Sequence, residues 1–206
     1  MKKYIVLAVL FVFPLVVYLF FASGVNHFAK LPVITQNIDE IGAYSEAQFK
    51  DKITVLGFFG NSLNDKKALA LNLNQKIYKR FYQFTDFQFL IALPEGTEAQ
   101  AAALKAELGG TTGTDMERWT FVFLSLAQLE GLFNSLNLPL ELDQNLSNPY
   151  VFIVDRDGNL RGRDDDGFEG YDARSVADIN NNMVDDVKVI LAEYRLALKK
   201  YNQRKP

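Results

Sequence analysis

The chain has no cysteine and only one histidine, His27, among its 206 residues. Without thiols it can form no disulfide, perform no thiol–disulfide exchange and bind no metal through thiolate. An exported domain of this composition must be held together by its hydrophobic core alone. His27 has no ligand-type residue beside it, so it is interpreted as an interfacial polar residue and not as a metal ligand. No cofactor and no metal are therefore expected.

An excess of positive charge is also missing. The formal net charge is −3, so no electrostatic attraction to nucleic acid is expected. Basic residues cluster only at the end of the chain, where a solvated tail is the simplest interpretation. There is no internal repeat and no low-complexity tract, and a hydrophobic fraction of 49% is enough for one well-packed domain.

The longest hydrophobic run lies at the start of the chain. Lys2 and Lys3 precede an uncharged stretch from Tyr4 to Ala22, and about 19 helical residues span a hydrocarbon core of roughly 30 Å. The run predicts one N-terminal transmembrane helix, kinked at Pro14. The two lysines predict a cytoplasmic N-terminus in the inner membrane, with a periplasmic or extracellular domain. A signal peptide cleaved near Ala22-Ser23-Gly24 is the alternative.

Short apolar runs and amphipathic segments then alternate. ITVLGFF, from Ile53 to Phe59, predicts a strand buried on both faces. Other strands are predicted at LPVIT, FQFLIAL, RWTFVFL, YVFIVD and LRGR, the last two joined as a hairpin by the turn RDGN. Helices are predicted from about Asp65 to Phe81, over TEAQAAALKAELGG, over SLAQLEGLFNSLNL and from about Arg174 to Tyr201. Their expected boundaries are an N-cap at Ser62 or Asn64, a C-terminus at Gly109-Gly110 and an N-cap at Ser125.

This order predicts an α/β domain with a central mixed, mostly parallel sheet and flanking helices, because strands joined through helices usually run parallel. The predicted division of the chain is 1–24 for the membrane anchor or signal peptide, 25–52 for a connector and N-terminal extension, 53–201 for the α/β domain and 202–206 for the basic tail.

Three segments resemble the SCO/SenC family, whose fold is thioredoxin-like. KITVLGFFGNSLND is similar to the strand and turn that carry that family's CxxxC motif. DMERWTFVFLSLAQLEGLFNSLNL is similar to its next strand and helix, and NPYVFIVDRDGNLRGR to a strand–turn–strand also found in TlpA-like thioredoxins. The resemblance covers about Ile53 to Tyr194 and implies a thioredoxin-like fold behind a membrane anchor.

The resemblance also implies chemistry that this chain lacks. SCO proteins handle copper and thiols during respiratory oxidase assembly, using two cysteines in the turn and one histidine. The cysteines would fall near Ser62 and Lys66, and the histidine between Asn145 and Ser147. The family's fold is therefore expected here without its redox and metal functions. The resemblance further implies a cis proline beside the turn, at Pro149.

The candidate site consists of the turn where the cysteines would lie, together with this proline: Asn61, Ser62, Leu63, Asn64, Asp65 and Pro149. Because thioredoxin-like folds bind extended chains at this place, these residues are expected to form part of a partner-binding surface. A simple capping cluster is the plainer interpretation. Ser62 as a nucleophile would need a base, which only Lys66 or Lys67 could supply.

Two other features of the sequence are candidate sites. Asp155, Asp157, Asn159 and Asp166 have the spacing of a calcium loop, but Leu160 stands where its glycine belongs, so a hairpin turn is preferred. Aromatic residues alternate along the strands, and core packing is preferred to a binding surface.

The expected function is a non-catalytic, membrane-anchored binding or assembly module of the cell envelope with an unidentified protein partner. An enzyme with serine or acidic chemistry and a purely structural envelope protein are the alternatives.

Overall fold

One mixed sheet organises the domain. In the computed structural model, which describes residues 2–22, 30–43, 45, 47–163 and 167–204, the strand order is β1-β6-β5-β2-β3-β4, with β7 paired to β5. The strands are β1 (Val33–Thr35), β2 (Ile53–Phe59), β3 (Phe87–Pro94), β4 (Trp119–Leu124), β5 (Ser147–Val154), β6 (Leu160–Arg161) and β7 (Tyr171–Asp172).

Helices cover both faces of this sheet. They are α2 (Lys67–Leu73), α3 (Lys79–Phe81), α4 (Glu98–Thr112), α5 (Leu126–Ser135), α6 (Val176–Asp178) and α7 (Val184–Arg204), whereas the N-terminal helix α1 (Lys2–Ala22) does not belong to either face. A π-helical turn, Asn74–Tyr78, joins α2 to α3, and a second one, Ile179–Met183, joins α6 to α7. The two long helical segments predicted from the sequence are therefore present, but each is interrupted.

The direction of β5 differs from the prediction. Strands β2, β3 and β4 are parallel, whereas β5 is antiparallel to β2, and β6, β1 and β7 add further antiparallel pairs. The expectation of a mostly parallel sheet is wrong because residues 136–146 follow α5 and return the chain along the sheet before β5 begins. A central strand that precedes the polar turn, with a parallel neighbour on one side and an antiparallel neighbour on the other, is the thioredoxin-like arrangement, as the sequence predicted.

Strand β2 lies at the centre because all seven of its residues are buried. Its side chains alternate between two hydrophobic clusters, one on each face of the sheet. Val55 packs towards α2, α4 and α7, while Leu56 and Phe58 pack towards α5 and the N-terminal segment. Each fully buried side chain of this size contributes about 1.5–3 kcal/mol relative to an exposed one. The core alone can thus support a domain without disulfides.

Helix α4 ends later than predicted. It continues past Gly109 and Gly110 to Thr112, and Gly113 ends it in the left-handed conformation, at a φ of 67°. Gly113 can supply the positive φ that a helix C-terminus commonly uses. Ser125 is the N-cap of α5, as predicted, and its N–H donates to Gln128 Oε1 at 2.9 Å.

The N-terminal helix α1 covers Lys2–Ala22 and contains Pro14. Its described large apolar side chains are exposed, with Tyr4 80% and Phe11 68% accessible. Within the ranges described above, no helix is both long enough and apolar enough to cross a membrane. The transmembrane anchor and its topology stay predictions.

Candidate functional site

The predicted turn follows β2 and packs against a second loop. Gly60 has a φ of 69°, and a Cβ at this position would lie 2.0 Å from the backbone oxygen of Asn145. The next residue, Asn61, donates its N–H to that same oxygen at 2.9 Å. Only glycine allows this close approach without moving the chain. The backbone of Gly60 and Asn61 therefore fixes where the turn lies.

The second loop is held by Asp143. Its Oδ1 accepts hydrogen bonds from the N–H groups of Asn145 and Ser147, at 2.9 and 2.8 Å, and its Oδ2 accepts one from Ser147 Oγ at 2.7 Å. Burial acts to raise the pKa of Asp143, but these hydrogen bonds and the charge of Lys66 outweigh it and lower the pKa. This loop contains the positions at which the resemblance implies the family's histidine, and it does contact the turn.

Side chains of the turn divide into two groups. Leu63 is only 1% exposed and belongs to the core, so it anchors the turn to the hydrophobic core. Asn61 and Asn64 are exposed, and neither side chain has a hydrogen-bond partner within the described part of the chain. Two amide side chains are thus presented to solvent and available for an external contact.

Capping does not account for this polar cluster. Residues Leu63–Lys66 form a 3₁₀ turn before α2, and no side chain caps its start. Ser62 Oγ instead donates to Asp65 Oδ2 at 2.7 Å. Ser62 therefore lies at the N-cap position of the 3₁₀ turn without capping it through its side chain, and α2 itself begins only after Lys66. The bond to Asp65 occupies the Ser62 hydroxyl, and no lysine among the described residues hydrogen-bonds to it, so the lysine base considered for Ser62 is not in place.

A pocket joins the turn to Pro149. It has a volume of about 370 Å³, with Asp65, Lys66 and Leu69 on one side and Pro149 and Arg174 on the other. The structure thus brings Asp65 and Pro149 together in one lining, although they are far apart in the sequence. Leu63 and Asn64 line a separate pocket of about 290 Å³ beside α4.

Pro149 itself differs from the prediction. No cis peptide bond occurs in the described part of the chain, so the Asn148–Pro149 bond is trans, and the implied cis proline is wrong. Pro149 lies within β5 and not ahead of it. The register with β2 shifts here, because Val151 pairs with Gly57 whereas Ser147 pairs with Phe59. This bulge accommodates a residue that has no N–H to donate.

Strand β7 was not predicted, and it occupies the edge of β5 beside the pocket. It pairs with Tyr150 and Val151, and Ala173 extends the contact by donating its N–H to Pro149 O at 3.0 Å. The carbonyl oxygen of Ala173 accepts from Asn72 Nδ2 at 2.8 Å. The chain's own backbone therefore fills the groove between the helical segment and β5. The solvent-accessible surface beside β5 is therefore formed by the side chains around the pocket and not by an open strand edge.

The calcium-like motif forms a hairpin turn, the preferred interpretation. Asp155 Oδ1 accepts the N–H groups of Asp157 and Asn159, each at 2.9 Å, and Oδ2 accepts from Arg161 Nη1 at 3.0 Å. Asp166, with the rest of the acidic triplet, lies outside the described residues, as does His27. Among the residues that are described, no group of His, Asp or Glu could hold a metal ion.

The alternating aromatic residues belong mainly to the core, as predicted. Trp119 is fully buried and stacks on Phe89, with ring centroids 4.4 Å apart and an interplanar angle of 17°. Tyr78 packs edge-on against both rings. Burial raises the pKa of Tyr78 to about 12, with a further contribution from Asp115. A phenol held neutral in this way packs like the apolar rings around it.

Comparison with known proteins gave structural neighbours only. No protein-family model matches the chain, and no curated protein matches it. The structure is similar to a SCO1/SenC family lipoprotein from Bacillus anthracis, with 14% identity and a TM-score of 0.44 over 84% of this chain and 99% of that one. It is also similar to the soluble domain of Sco1 from Bacillus subtilis, with 13% identity and a TM-score of 0.41 over 78% and 91%.

A third neighbour comes from another thioredoxin-like group. It is the thioredoxin domain of a thiol-disulfide oxidoreductase from Bacteroides vulgatus, with 18% identity and a TM-score of 0.41 over 80% of this chain and 99% of that one. The neighbours thus include both SCO/SenC and other thioredoxin-like proteins. At this level of similarity, their names carry no information on what this chain binds.

Proposed function

We propose that the chain is a non-catalytic, thioredoxin-like binding module of the cell envelope that holds a protein partner. The observation that carries the proposal is the pair of exposed amide side chains, Asn61 and Asn64, which have no described internal partner and lie in the turn that would carry the resembling family's cysteines. Exposed polar side chains that do not contribute to the fold are available for recognition.

The chemistry of the site favours binding over catalysis. The chain contains no cysteine, so thiol exchange is impossible. The Ser62 hydroxyl donates a hydrogen bond to Asp65, and no histidine or lysine bonds to it within the described residues. An enzyme would need its nucleophile within the pocket, whereas Ser62 does not line the pocket between Asp65 and Pro149.

The proposed setting is the assembly of respiratory complexes or copper proteins at the inner membrane. It rests on the resemblance of three sequence segments to the SCO/SenC family. Membrane attachment through α1 is part of the proposal, and the exposure of large apolar side chains such as Phe11 and Leu10 supports it. Exposed apolar area of this kind is normally covered by a membrane or a protein.

Bulky substitutions test the site directly. Asn61→Trp and Asn64→Trp would each place a large ring on the proposed surface, and Asn134→Trp is the matched control, because Asn134 is exposed on α5, on the other face of the sheet. The tagged full chain is purified from solubilised membranes and its associated proteins are quantified. We expect at least a tenfold loss of one specific partner for the two site variants and no change for the control.

Two results would overturn the proposal. One is an unchanged set of associated proteins in both site variants, which would favour a purely structural envelope protein. The other is sub-micromolar copper binding or substrate turnover by the purified chain. Membrane attachment has a separate test, since the chain should stay in the membrane fraction after a carbonate wash and leave it when residues 2–22 are deleted.

A further inference from the structure

Strand β4 is an open edge of the sheet. It is the last strand in the order, and its only paired neighbour in the described part of the chain is β3. Phe89 N–H donates to Arg118 O at 2.7 Å and Glu95 N–H donates to Leu124 O at 3.1 Å. In a parallel ladder, the N–H and C=O groups of every second residue face the same neighbouring strand. Because Arg118 and Leu124 face β3, the ladder also directs the N–H and C=O groups of Thr120 and Val122 to β3. It directs those of Phe121 and Phe123 outwards, at the free edge.

The opposite edge, β1, is protected in three ways that β4 lacks. Strand β1 has three residues, follows Pro32 and has a register irregularity between Val33 and Thr35. Short strands, proline and bulges are the usual devices that prevent edge-to-edge pairing. Strand β4 has six residues, no proline and no register shift. No charged residue occurs from Trp119 to Leu129.

The order of side chains on β4 is self-complementary. Phe121, Val122 and Phe123 read the same in both directions, so an antiparallel copy centred on Val122 places each phenylalanine opposite a phenylalanine. Aromatic cross-strand pairs of this kind stabilise antiparallel sheets. Both phenylalanines are only half-buried at present and pack against the core on one side. Their outward peptide groups would meet as hydrogen-bonded pairs, with the two copies of Val122 between them.

We propose that a second copy of this chain pairs with the edge of β4, in an antiparallel register centred on Val122, to form a two-fold symmetric dimer with a continuous sheet. The absence of charge from Trp119 to Leu129 removes like-charge repulsion across the axis, which a symmetric interface would otherwise bring together. This inference does not depend on the proposed function, because β4 does not line the pocket between Asp65 and Pro149.

A cysteine at the two-fold axis tests the register, because the natural chain has no thiol to interfere. In the proposed dimer the two copies of Val122 form a non-hydrogen-bonded pair, whose Cα atoms lie about 4.5 Å apart, within the range for a disulfide. We expect Val122→Cys, in the detergent-solubilised full chain, to form a covalent dimer when oxidised glutathione accepts the two electrons. The control is Val33→Cys, on the other edge and 44% exposed, which should stay monomeric.

A backbone test distinguishes strand pairing from chance collision. Phe123→Pro removes an outward N–H and leaves the ladder to β3 intact, while Phe123→Ala removes the same ring and keeps the N–H. We expect the proline variant to cross-link at least tenfold less than the alanine variant when each is combined with Val122→Cys. Sedimentation of the unmodified chain and of both single variants gives the same comparison without oxidation.

The proposal is overturned if Val122→Cys forms no more covalent dimer than Val33→Cys at the same protein concentration. It is also overturned if the unmodified chain sediments as a monomer at 100 times the concentration used for cross-linking. Should the proline variant fail to fold, the cysteine pair and the sedimentation of the natural chain still decide the question.

Discussion

The two polar turns at opposite ends of the sheet use their side chains in contrasting ways. In the hairpin after β5, Asp155 is 2% exposed and its carboxylate accepts hydrogen bonds from Asp157, Asn159 and Arg161. In the turn after β2, the fold depends on backbone contacts of Gly60, and Asn61 and Asn64 remain exposed. The carboxylate of one turn is committed to the fold, whereas two amide side chains of the other have no partner among the described residues.

Arg161 extends the difference across the domain. Besides Asp155, it contacts Glu193 Oε2 at 2.7 Å and the carbonyl oxygen of Leu31 at 2.8 Å from Nε. One buried guanidinium thus ties the hairpin to α7 and to the segment that precedes β1. Although burial acts to lower its pKa, the two carboxylates outweigh this effect and raise the pKa of Arg161, so the guanidinium stays charged at any ordinary pH.

Removal of Arg161 should have the largest effect. Arg161→Met would leave the carboxylates of Asp155 and Glu193 partly buried without their cation, and loss of one partner of a buried pair costs about 3–5 kcal/mol. The free energy of unfolding in urea measures this. Arg174→Met is the control, since Arg174 pairs with Asp172 at an exposed position and should cost less than about 1 kcal/mol. Equal losses in the two variants would contradict the assigned role of the hairpin.

Gly60→Ala should have the second largest effect. A left-handed alanine costs about 1–2 kcal/mol, and the added Cβ must also displace the backbone oxygen of Asn145, so a total above about 2 kcal/mol is expected. Gly96→Ala is matched to it: its φ is 88°, but a Cβ there meets nothing within 4 Å. It should lose only the conformational part. A denaturation midpoint that shifts equally in both variants would show that the turn does not rest on this contact.

Asp143 should make stability depend on pH. Its folded-state pKa is lowered, so its contribution is present above the unfolded value of about 3.9 and is lost as the pH falls through the folded value. Asp143→Asn should therefore cost about 1 kcal/mol at neutral pH, as for a charged hydrogen bond that is partly exposed, and the difference should shrink below about pH 4. Urea unfolding from pH 7 to pH 3 measures it. Asp157→Asn, at an exposed carboxylate with no side-chain hydrogen bond among the described residues, is the control for the removal of a surface charge.

The smallest effect is expected at the amide side chains. Asn61→Ala and Asn64→Ala should each change the free energy of unfolding by less than about 0.5 kcal/mol, because both side chains are exposed and neither hydrogen-bonds within the described part of the fold. Thermal unfolding of the two variants beside the natural chain is sufficient to measure this. A loss of 1 kcal/mol or more in either variant would show that this turn, like the hairpin, serves the fold.

Sequence patterns predicted those elements whose signal extends over several residues. The buried run Ile53–Phe59 and the heptapeptide after Asp86 gave β2 and β3 because β-branched and aromatic residues fill whole strands. Strand β7 could not be found in this way, because two residues, Tyr171 and Asp172, show no periodicity. Its position depends on long-range bonds such as Asn72 to Ala173, which no local pattern encodes.

The turn and Pro149 lie together as the sequence predicted, whereas their role in partner binding stays a prediction. The turn contacts the loop where the resemblance implied a ligand, and Asp65 and Pro149 line one pocket. The prediction of a cap at Ser62 failed because its hydroxyl bonds a neighbouring carboxylate instead of a backbone N–H. The prediction of the direction of β5 failed for a similar reason. The path of residues 136–146 is set by tertiary contacts and not by local propensity.

The aromatic stack provides an optical probe of the domain. Trp119 is the only tryptophan and lies fully buried against Phe89, so its fluorescence should be emitted at short wavelength and resist quenching by acrylamide. Red-shifted emission would then report the opening of this aromatic core and not of the N-terminal helix, which contains no indole. The natural chain can thus be followed during unfolding, in detergent or in membranes, without an added dye.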